Sequence, residues 1–313
     1  MKLIYEPSVF LISRLEIGPG LQIFLDNEGL HFPMGYNSIN EGESDSSLIP
    51  EVAGRLCYLS FNNPRPGGNA AYLKHILESG HGSVLEHAVF GMIFTGVSRS
   101  LTHELVRHRA GFGFSQLSQR YVDESDVAFV VPPELQNEVR DGEGFVDLHK
   151  CEAGELLKLI YSPPTAYSWS GLSDGIKVGL EWIALCETDL SKYVRLTDYL
   201  FEKIKKEMEV YNTKDVPDIN RELRKRARQT ARSVLPNCTE TKIFVTSNVR
   251  GWRNFIEQRG SRHAEAEIRQ LTYRVWEVLK SEAINLFGDY VWTMQEENGV
   301  GRPVDVTTLY RKV

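Results

Sequence analysis

Residues 239–288 constrain the fold most, because a strand pattern passes there directly into two helical patterns. The segment TETKIFVT, 239–246, alternates in the way that is typical of a strand. NVRGWRNFIEQRG, 248–260, then has the spacing of a helix ended by a glycine, and HAEAEIRQLTYRVWEVLKSEAINLFG, 263–288, predicts a longer amphipathic helix. The residues expected to face the core from the first helix are Trp252, Phe255 and Ile256. The two periods together predict a mixed α+β fold.

The upstream part of the chain repeats this mixture. Strands are predicted at 88–97 and 127–133, and helices at 70–80, 98–109, 177–211 and 215–235. Residues 36–69, rich in Asn, Ser, Gly and Pro, predict a loop-rich entry, and 136–210 is interpreted as an insertion or a helical excursion. Without internal repeats, residues 1–313 are predicted to form a single, helix-rich α+β domain.

The charge balance is acidic, with a net charge of -6 over 313 residues and a pI near 5.8. A surface that binds polyanions over its whole extent is therefore excluded, and any anion site must be local. Charged residues interrupt the apolar runs at the N-terminus, and no segment approaches a membrane span, so neither a signal peptide nor a membrane protein is predicted. Four widely spaced cysteines without a C-x-x-C pair are typical of buried free thiols in a reducing cytoplasm. They are Cys57, Cys151, Cys186 and Cys238.

Positive charge is concentrated in RHRAGFGFSQLSQRY, 107–121. Guanidinium groups stay charged at any working pH, and their forked donors match phosphate or carboxylate. Three arginines here bracket a predicted loop, in which serine hydroxyls and backbone amides would complete a phosphate cradle. Gln116 both donates and accepts, as reading the edge of a nucleobase requires. A solvated basic surface loop is the alternative interpretation.

Two other kinds of site are disfavoured. His103 and His108 flank a zinc-protease-like Glu104, but a separation of five residues puts them roughly 140° apart around a helix, and no metal site is predicted. A reactive thiolate needs a cationic setting, and only Cys238, after Arg232, comes near one in sequence. No P-loop, dinucleotide fingerprint or nucleophile elbow is present, so phosphate recognition must use side chains.

A second basic segment is NRELRKRARQTAR, 220–232, which predicts a cationic stripe on one side of a helix. The stripe consists of Arg221, Arg224, Lys225, Arg228 and Arg232, with Leu223 and Ala227 behind it. A solvated face and a nucleic-acid-binding surface are the competing interpretations. The acidity of the whole chain and the lack of a recognisable nucleic-acid module disfavour the second, so no nucleic-acid partner is predicted.

Taken together, the motifs resemble the flavin-dependent thymidylate synthases, a family that methylates dUMP without a catalytic cysteine. The family signature is Arg-His-Arg, seven residues and Ser; here Arg107-His108-Arg109 precedes Ser118 with a spacer one residue longer. HGSVLEH at 81–87, ARSVLPN at 231–237 and NVRGWRNFIEQRGSRHAEAEIR at 248–269 resemble further family elements, in the family order. The resemblance covers roughly residues 50–130 and 215–290.

The resemblance implies a site residue by residue. The FAD-binding residues would be Ser83, Glu86, Arg107, His108, Arg109, Ala110, Gln116, Asn248, Val249, Arg250 and Asn254. The dUMP-binding residues would be Glu104, Leu105, Val106, Arg107, Gln116, Leu117, Ser118, Gln119, Arg120, Arg232 and Arg259. Family members often have Gln where this chain has Glu104, and an ionised carboxylate cannot donate a hydrogen bond.

The resemblance also implies the chemistry and the assembly. NADPH would reduce bound FAD, methylenetetrahydrofolate would supply the one-carbon unit, and reduced flavin would provide the hydride. Arg259 would be catalytic, because a fixed guanidinium favours negative charge on the uracil ring. The implied fold is an antiparallel-type central sheet flanked by several long helices, in a homotetramer with sites between subunits.

Overall fold

The structure is a computed structural model that describes residues 1–32, 45–143, 171–210, 219–297 and 300–311. Its strands are β1 (Lys2–Ile4), β2 (Ser8–Arg14), β3 (Val89–Ser98), β4 (Phe112–Gln116), β5 (Ala128–Val130), β6 (Glu240–Asn248), β7 (Val291–Glu297) and β8 (Val300–Thr307). Its helices are α1 (Gly20–Asn27), α2 (Leu48–Tyr58), α3 (Gly68–Glu78), α4 (Arg99–Leu105), α5 (Gln136–Glu143), α6 (Asp174–Val210), α7 (Ile219–Ala231), α8 (Val249–Arg259), α9 (Ala266–Glu282) and α10 (Ile284–Phe287). Strands β2 and β3 pair antiparallel, and so do β7 and β8, which confirms the predicted α+β class. No helix in the described ranges is both long and apolar enough to cross a membrane.

The chain divides into two compact units, and each collects segments that are distant in sequence. The first unit contains Met1–Glu6, Gly96–Ser100 and Gln116–Thr241. The second contains Pro7–Thr95, Leu101–Ser115 and Lys242–Val313. The chain passes from one unit to the other within β3, β4 and β6, and the single domain expected over 1–313 stays a prediction.

The core of the first unit joins a small parallel sheet to helices of the 136–210 segment. Strand β1 pairs with β5, and Val131, directly after β5, is fully buried with Val139 of α5 and Ile183 of α6. Helices α5 and α6 approach closely at Gly179, where a Cβ would lie 2.3 Å from the carbonyl oxygen of Glu138. Helices α5 and α6 occupy described parts of 136–210, and 144–170 lie outside the described residues. The interpretation of the segment as an insertion or a helical excursion stays a prediction.

Most of the four-stranded sheet, in the order β2-β3-β6-β4, belongs to the second unit. Helix α8 packs there with Trp252, Phe255 and Ile256 fully buried, as predicted. The indole nitrogen of Trp252 donates to the carbonyl of Phe90 at 3.1 Å, which fixes α8 to β3. This contact positions the residues at both ends of α8.

Several predictions need correction. The loop-rich entry at 36–69 contains helix α2, which is stabilised by the buried i,i+4 ion pair of Glu51 with Arg55 at 2.6 Å; 33–44 lie outside the described residues. The long helix predicted to reach 288 ends at Glu282, because Ala283 has an extended φ of -152° before α10. Of the expected buried thiols, Cys57 is exposed and Cys238 is half-buried, whereas Cys186 is buried; Cys151 is outside the described residues.

The predicted loop within 107–121 is partly a strand. Residues 112–116 form β4 at one edge of the sheet. Phe112 and Phe114 point to the same side of the strand and stack at 5.7 Å, while Phe112 packs edge-on against Trp252 at 5.1 Å. Phe112 and Phe114 alternate with Gly113 and Ser115, which is the period of two that is typical of a strand. The composition of the stretch does not indicate a strand, because glycine is rare in strands.

Candidate functional site

The second unit brings together Glu104, His108 and Arg259, which are far apart in sequence. Helix α4 ends at Leu105, and the turn that follows places His108 beneath the C-terminal end of α8. The Nε of Arg259 donates to Nε2 of His108 at 2.9 Å. Its Nη1 donates to the carboxylate of Glu104 at 2.6 Å, and its Nη2 to the Glu104 carbonyl at 3.3 Å. The guanidinium predicted to be catalytic is thus held on three sides.

His108 is neutral in this arrangement. It is only 8% exposed, and its ring packs against Phe255 and Phe112 at 5.3 and 5.8 Å. Burial and then the positive charge of Arg259 lower its pKa from 6.5 to about 4. Because Nε2 accepts from Arg259, the ring proton is assigned to Nδ1. His108 therefore orients the arginine and adds no charge at neutral pH.

Glu104 carries the opposite kind of shift. Burial raises the pKa of its carboxyl, the like charge of Glu265 and a hydrogen bond with that residue raise it further, and Arg259 and Arg107 oppose the rise. The carboxylate is about a fifth exposed, as is the guanidinium of Arg259. Two acidic groups therefore lie beside one fixed arginine.

A cleft of about 370 Å³ opens next to the N-terminus of α8. Its lining residues are Glu86, Ala110, Gly111, Asn248, Arg250, Gly251, Asn254 and Glu257. Asn248 caps α8 by accepting from the backbone nitrogen of Gly251 at 2.8 Å, and Arg250 pairs with Glu86 at 2.6 Å. At Gly111, φ is +77° and a Cβ would lie 3.0 Å from the Asn248 amide, so only glycine leaves this wall open without strain. Cationic and amide donors beside a helix N-terminus suit an anionic, dinucleotide-like ligand.

The C-terminal half of the 107–121 stretch lies in the first unit. Gln116 donates to the hydroxyl of Thr241 at 3.4 Å, and the carbonyl of Leu117 accepts from Arg99 at 3.4 Å. The Ser118 hydroxyl accepts from the backbone nitrogen of Arg120 at 3.4 Å, which forms a tight turn. Its backbone groups are therefore ordered within this unit.

A second cavity, of about 350 Å³, is strongly cationic and also belongs to the first unit. Its lining residues are Arg120, Tyr121, Asn220, Arg221, Arg224, Lys225 and Arg228. Lys225 lies over the Tyr121 ring at 5.3 Å, and Arg228 donates to Asp123 at 2.6 Å. The Nε atoms of Arg120 and Arg228 are buried without a hydrogen-bond partner among the described residues. This concentration of positive charge suits an anionic ligand.

The predicted site residues thus fall into two groups. The first unit holds Gln116, Leu117, Ser118, Gln119, Arg120 and Arg232. The second holds Ser83, Glu86, Glu104, Leu105, Val106, Arg107, His108, Arg109, Ala110, Asn248, Val249, Arg250, Asn254 and Arg259. Of these, Leu105 and Val249 are fully buried, and the backbone nitrogen of Val249 donates to Ala88. The side chains of these two therefore serve the core of the second unit.

Sequence reasoning missed several residues of these sites. Glu265 stands beside Glu104, Glu257 lines the α8 cleft, and Tyr121 lines the cationic cavity. Arg99 lies near Arg232, which together with burial lowers the pKa of Arg99. Tyr121 was within the singled-out stretch, whereas no local pattern marks the other three. Their importance comes from tertiary neighbours only.

Comparison with known proteins shows the family to which this chain belongs. A family model described as "Thymidylate synthase complementing protein" matches residues 41–283. The chain belongs to the thymidylate synthase complementing protein family. Within this family, the flavin-dependent thymidylate synthase of Mycobacterium sp. strain JLS is 41% identical over 254 residues, covering 80% of this chain and 82% of that protein. The resemblance inferred from the motifs is confirmed.

Two further relatives carry the same name as the JLS protein. The flavin-dependent thymidylate synthase of Corynebacterium diphtheriae is 36% identical over 84% of this chain and 86% of its own length. That of Mycobacterium tuberculosis strain H37Ra is 39% identical over 77% of this chain and 78% of its own. A solved structure of a UMP/dUMP methylase, PolB from Streptomyces cacaoi bound with 5-Br dUMP, has a TM-score of 0.56 at 19% identity, covering 92% of this chain and 96% of that one. This last similarity shows a shared fold.

Proposed function

We propose that this chain is a flavin-dependent thymidylate synthase, which converts dUMP to dTMP by reductive methylation. Methylenetetrahydrofolate is the one-carbon donor, FAD the cofactor and NADPH the reductant. The observation that carries the proposal is the 41% identity, over about four fifths of both chains, to a relative of that name. The fixed guanidinium of Arg259 supports it, because this chemistry needs electrostatic activation of uracil.

The flavin is assigned to the α8 cleft. Arg250 supplies a guanidinium, and Asn248 and Asn254 supply amides, which suit the phosphate and ribose oxygens of a dinucleotide. Ala110 and Gly111 form a wall without large side chains. The remaining flavin-binding residues proposed from the family motifs are Ser83, Glu86, Arg107, His108, Arg109, Gln116 and Val249. When bound, the cofactor supplies the hydride that completes the methyl group.

The nucleotide is assigned to Arg259 and to the 116–120 segment. Arg259 favours negative charge on the uracil ring, since a preorganised guanidinium stabilises an enolate-like form without acting as a base. Ser118, Arg120 and Arg232 bind the phosphate, and the position of Arg120 in a cationic cavity supports that role. The other residues proposed on the nucleotide side are Leu105, Val106, Arg107, Gln116, Leu117 and Gln119, and Glu104 belongs there through its ion pair with Arg259.

A cysteine nucleophile is not part of the proposal. Cys186 is buried, and its hydrogen bond with Cys238 and its burial raise its pKa well above the usual range. A thiol held in its protonated form is a poor nucleophile. We further propose a cytoplasmic enzyme that assembles as a homotetramer, with each active site formed between subunits.

The test combines the cofactor with the reaction. Purified protein should be yellow from bound FAD, and it should release tritium from [5-³H]dUMP when NADPH and methylenetetrahydrofolate are present. Arg259→Lys keeps the charge and loses the fork, so its turnover should fall much more than its dUMP affinity. A protein that takes up no FAD and releases no tritium would refute the proposed function. Equal losses of turnover and affinity in Arg259→Lys would make Arg259 an ordinary binding residue.

A further inference from the structure

Glu104 lies in the candidate site with its carboxylate already engaged by the protein. One oxygen accepts from Nη1 of Arg259 at 2.6 Å, and the backbone carbonyl of Glu104 accepts from Nη2 at 3.3 Å. Side chain and backbone of one residue thus face the same guanidinium edge. A carboxylate directed at an arginine in this way is oriented to hold that arginine, not to bind an anionic nucleotide.

The hydrogen bonds of Arg259 leave donors for a ligand. A guanidinium has five N–H groups, and Glu104 and His108 together accept from three of them. His108 accepts a hydrogen bond from Nε of Arg259, and Glu104 accepts from its two terminal nitrogens. These acceptors lie on different sides of the guanidinium group and fix its plane. The two remaining N–H groups keep a defined direction only while this frame is intact.

The charges around Glu104 come from three parts of the second unit. Arg259 faces it from the end of α8, Glu265 from the residue before α9, and Arg107 and the neutral His108 from the turn after α4. The charge of Glu265 and its hydrogen-bonding interaction with Glu104 both raise the pKa of the Glu104 carboxyl. The charge that Glu104 presents to Arg259 therefore depends on the protonation of this pair.

We propose that Glu104 is a positioning residue for the reaction, and that its carboxylate holds Arg259 in the catalytic orientation. The inference rests on the proposed function and deepens it. Glu104 acts through Arg259 and does not contact dUMP. A proton on Glu104 weakens its ion pair with Arg259, so the guanidinium group is no longer held in one orientation.

This role makes turnover depend on pH in a defined direction. Burial and the charge of Glu265 raise the pKa of Glu104, so the carboxylate takes up its proton at higher pH than an ordinary glutamate. As pH falls through that pKa, kcat should fall to about a tenth of its value at pH 8, because a protonated Glu104 leaves Arg259 with a neutral acceptor. The Kd of dUMP should change less than threefold, since Glu104 does not touch the nucleotide.

Two isosteric variants separate the roles of the two carboxyl groups. In Glu104→Gln, kcat at pH 8 should be about tenfold lower, because a neutral acceptor replaces a charged one. The fall of kcat at low pH, which is the acid limb of the pH profile, should disappear in this variant. In Glu265→Gln, the limb should remain and move to lower pH, since the like charge is gone. Glu277→Gln is the matched control: it removes the exposed pair with Arg274 in the same unit and should leave the profile unchanged.

The measurements are tritium release from [5-³H]dUMP between pH 4.5 and 8, and ¹³C NMR of the glutamate side-chain carboxyl carbons in the full chain. Persistence of the acid limb in Glu104→Gln, or its absence in the wild type, would overturn the inference. A dUMP Kd that weakens as much as kcat falls would also overturn it. If wild-type protein releases no tritium, the proposed function fails and the catalytic role of Glu104 with it. The NMR titration, which needs no substrate, then still shows whether Glu265→Gln lowers the pKa of Glu104.

Discussion

At the scale of single residues, His108 is the clearest case of a role decided by surroundings. The motif places it between two arginines, where a charged imidazole would be expected to be unfavourable. Burial against Phe112 and Phe255 removes the charge instead and leaves a neutral acceptor for Arg259. The histidine of the motif is therefore an anchor for another side chain.

The lowered pKa of His108 predicts a loss of stability in mild acid. Between pH 6.5 and about 4 the unfolded chain binds a proton at this histidine and the folded chain does not, so the free energy of unfolding falls as the pH drops through that window. We expect this group to contribute a loss of about 2 kcal/mol between pH 7 and pH 5. His108→Gln, which keeps an acceptor for Arg259, should lose correspondingly less stability than the wild type over the same interval.

Urea denaturation of both proteins at pH 7 and pH 5 measures this difference. Glu104 contributes with the opposite sign, because its raised pKa favours the folded state as pH falls, and comparison of wild type with His108→Gln cancels that contribution. The same pH dependence in both proteins would show that His108 titrates normally in the folded state.

At the scale of elements, helix α8 joins the core to the candidate site. Its buried side holds Trp252 and Phe255, its first turn borders the cleft, and its last residue is Arg259. Asn248 begins the helix by accepting from Gly251, so a residue proposed to bind FAD is also an N-cap. The cap uses the side-chain oxygen of Asn248.

Loss of the cap should be measurable without cofactor. Asn248→Ala should lower the free energy of unfolding of FAD-free protein by about 1 kcal/mol, whereas Asn248→Asp should keep the cap and most of the stability. Asn254→Ala, on the exposed side of the same helix, is the matched control and should stay within about 0.5 kcal/mol of the wild type. Urea denaturation of the three variants checks this, and equal effects of Asn248→Ala and Asn254→Ala would argue against the cap.

At the scale of the whole molecule, helix α6 exposes apolar side chains. Val178, Leu185 and Tyr199 are 50%, 58% and 63% exposed, and their spacing by multiples of seven places them on one side of the helix. An apolar stripe of this kind is typical of an interface between proteins. It supports the proposed homotetramer.

Sedimentation equilibrium tests this proposal. Wild-type protein should have four times the 35.6 kDa mass of one chain. Leu185→Asp should lower the association state, because it places a charge among these apolar side chains, and Leu309→Asp, at an exposed leucine of the second unit, should not. A monomer at every concentration would refute the tetramer, and a tetramer that tolerates Leu185→Asp would exclude this side of α6 as the interface.

Elements with a strong local period, and the family, could be predicted from the amino-acid sequence without the structure. The buried side of α8, strand β6 and helix α6 follow from spacing, and strand β3 follows from its Val, Ile and Phe content. The Arg-His-Arg motif with its companions indicated the family that the comparisons confirmed. Strand β4 was hidden by its glycines, and the break at Ala283 had no local signal. Local sequence patterns depend on residues that are close along the chain, which is enough to predict helices, strands and motifs.

The contacts of the charged residues could not be predicted in this way, because they depend on tertiary packing. Arg259, His108 and Glu104 were each singled out, but their mutual hydrogen bonds and the presence of Glu265 depend on packing between α8, the turn after α4 and the start of α9. Burial removes water, so it sets which groups ionise, and folding chooses which charges meet. The arginine motif could therefore be predicted from the sequence, whereas the neutral state of His108 and the carboxyl groups of Glu104 and Glu265 near Arg259 could not.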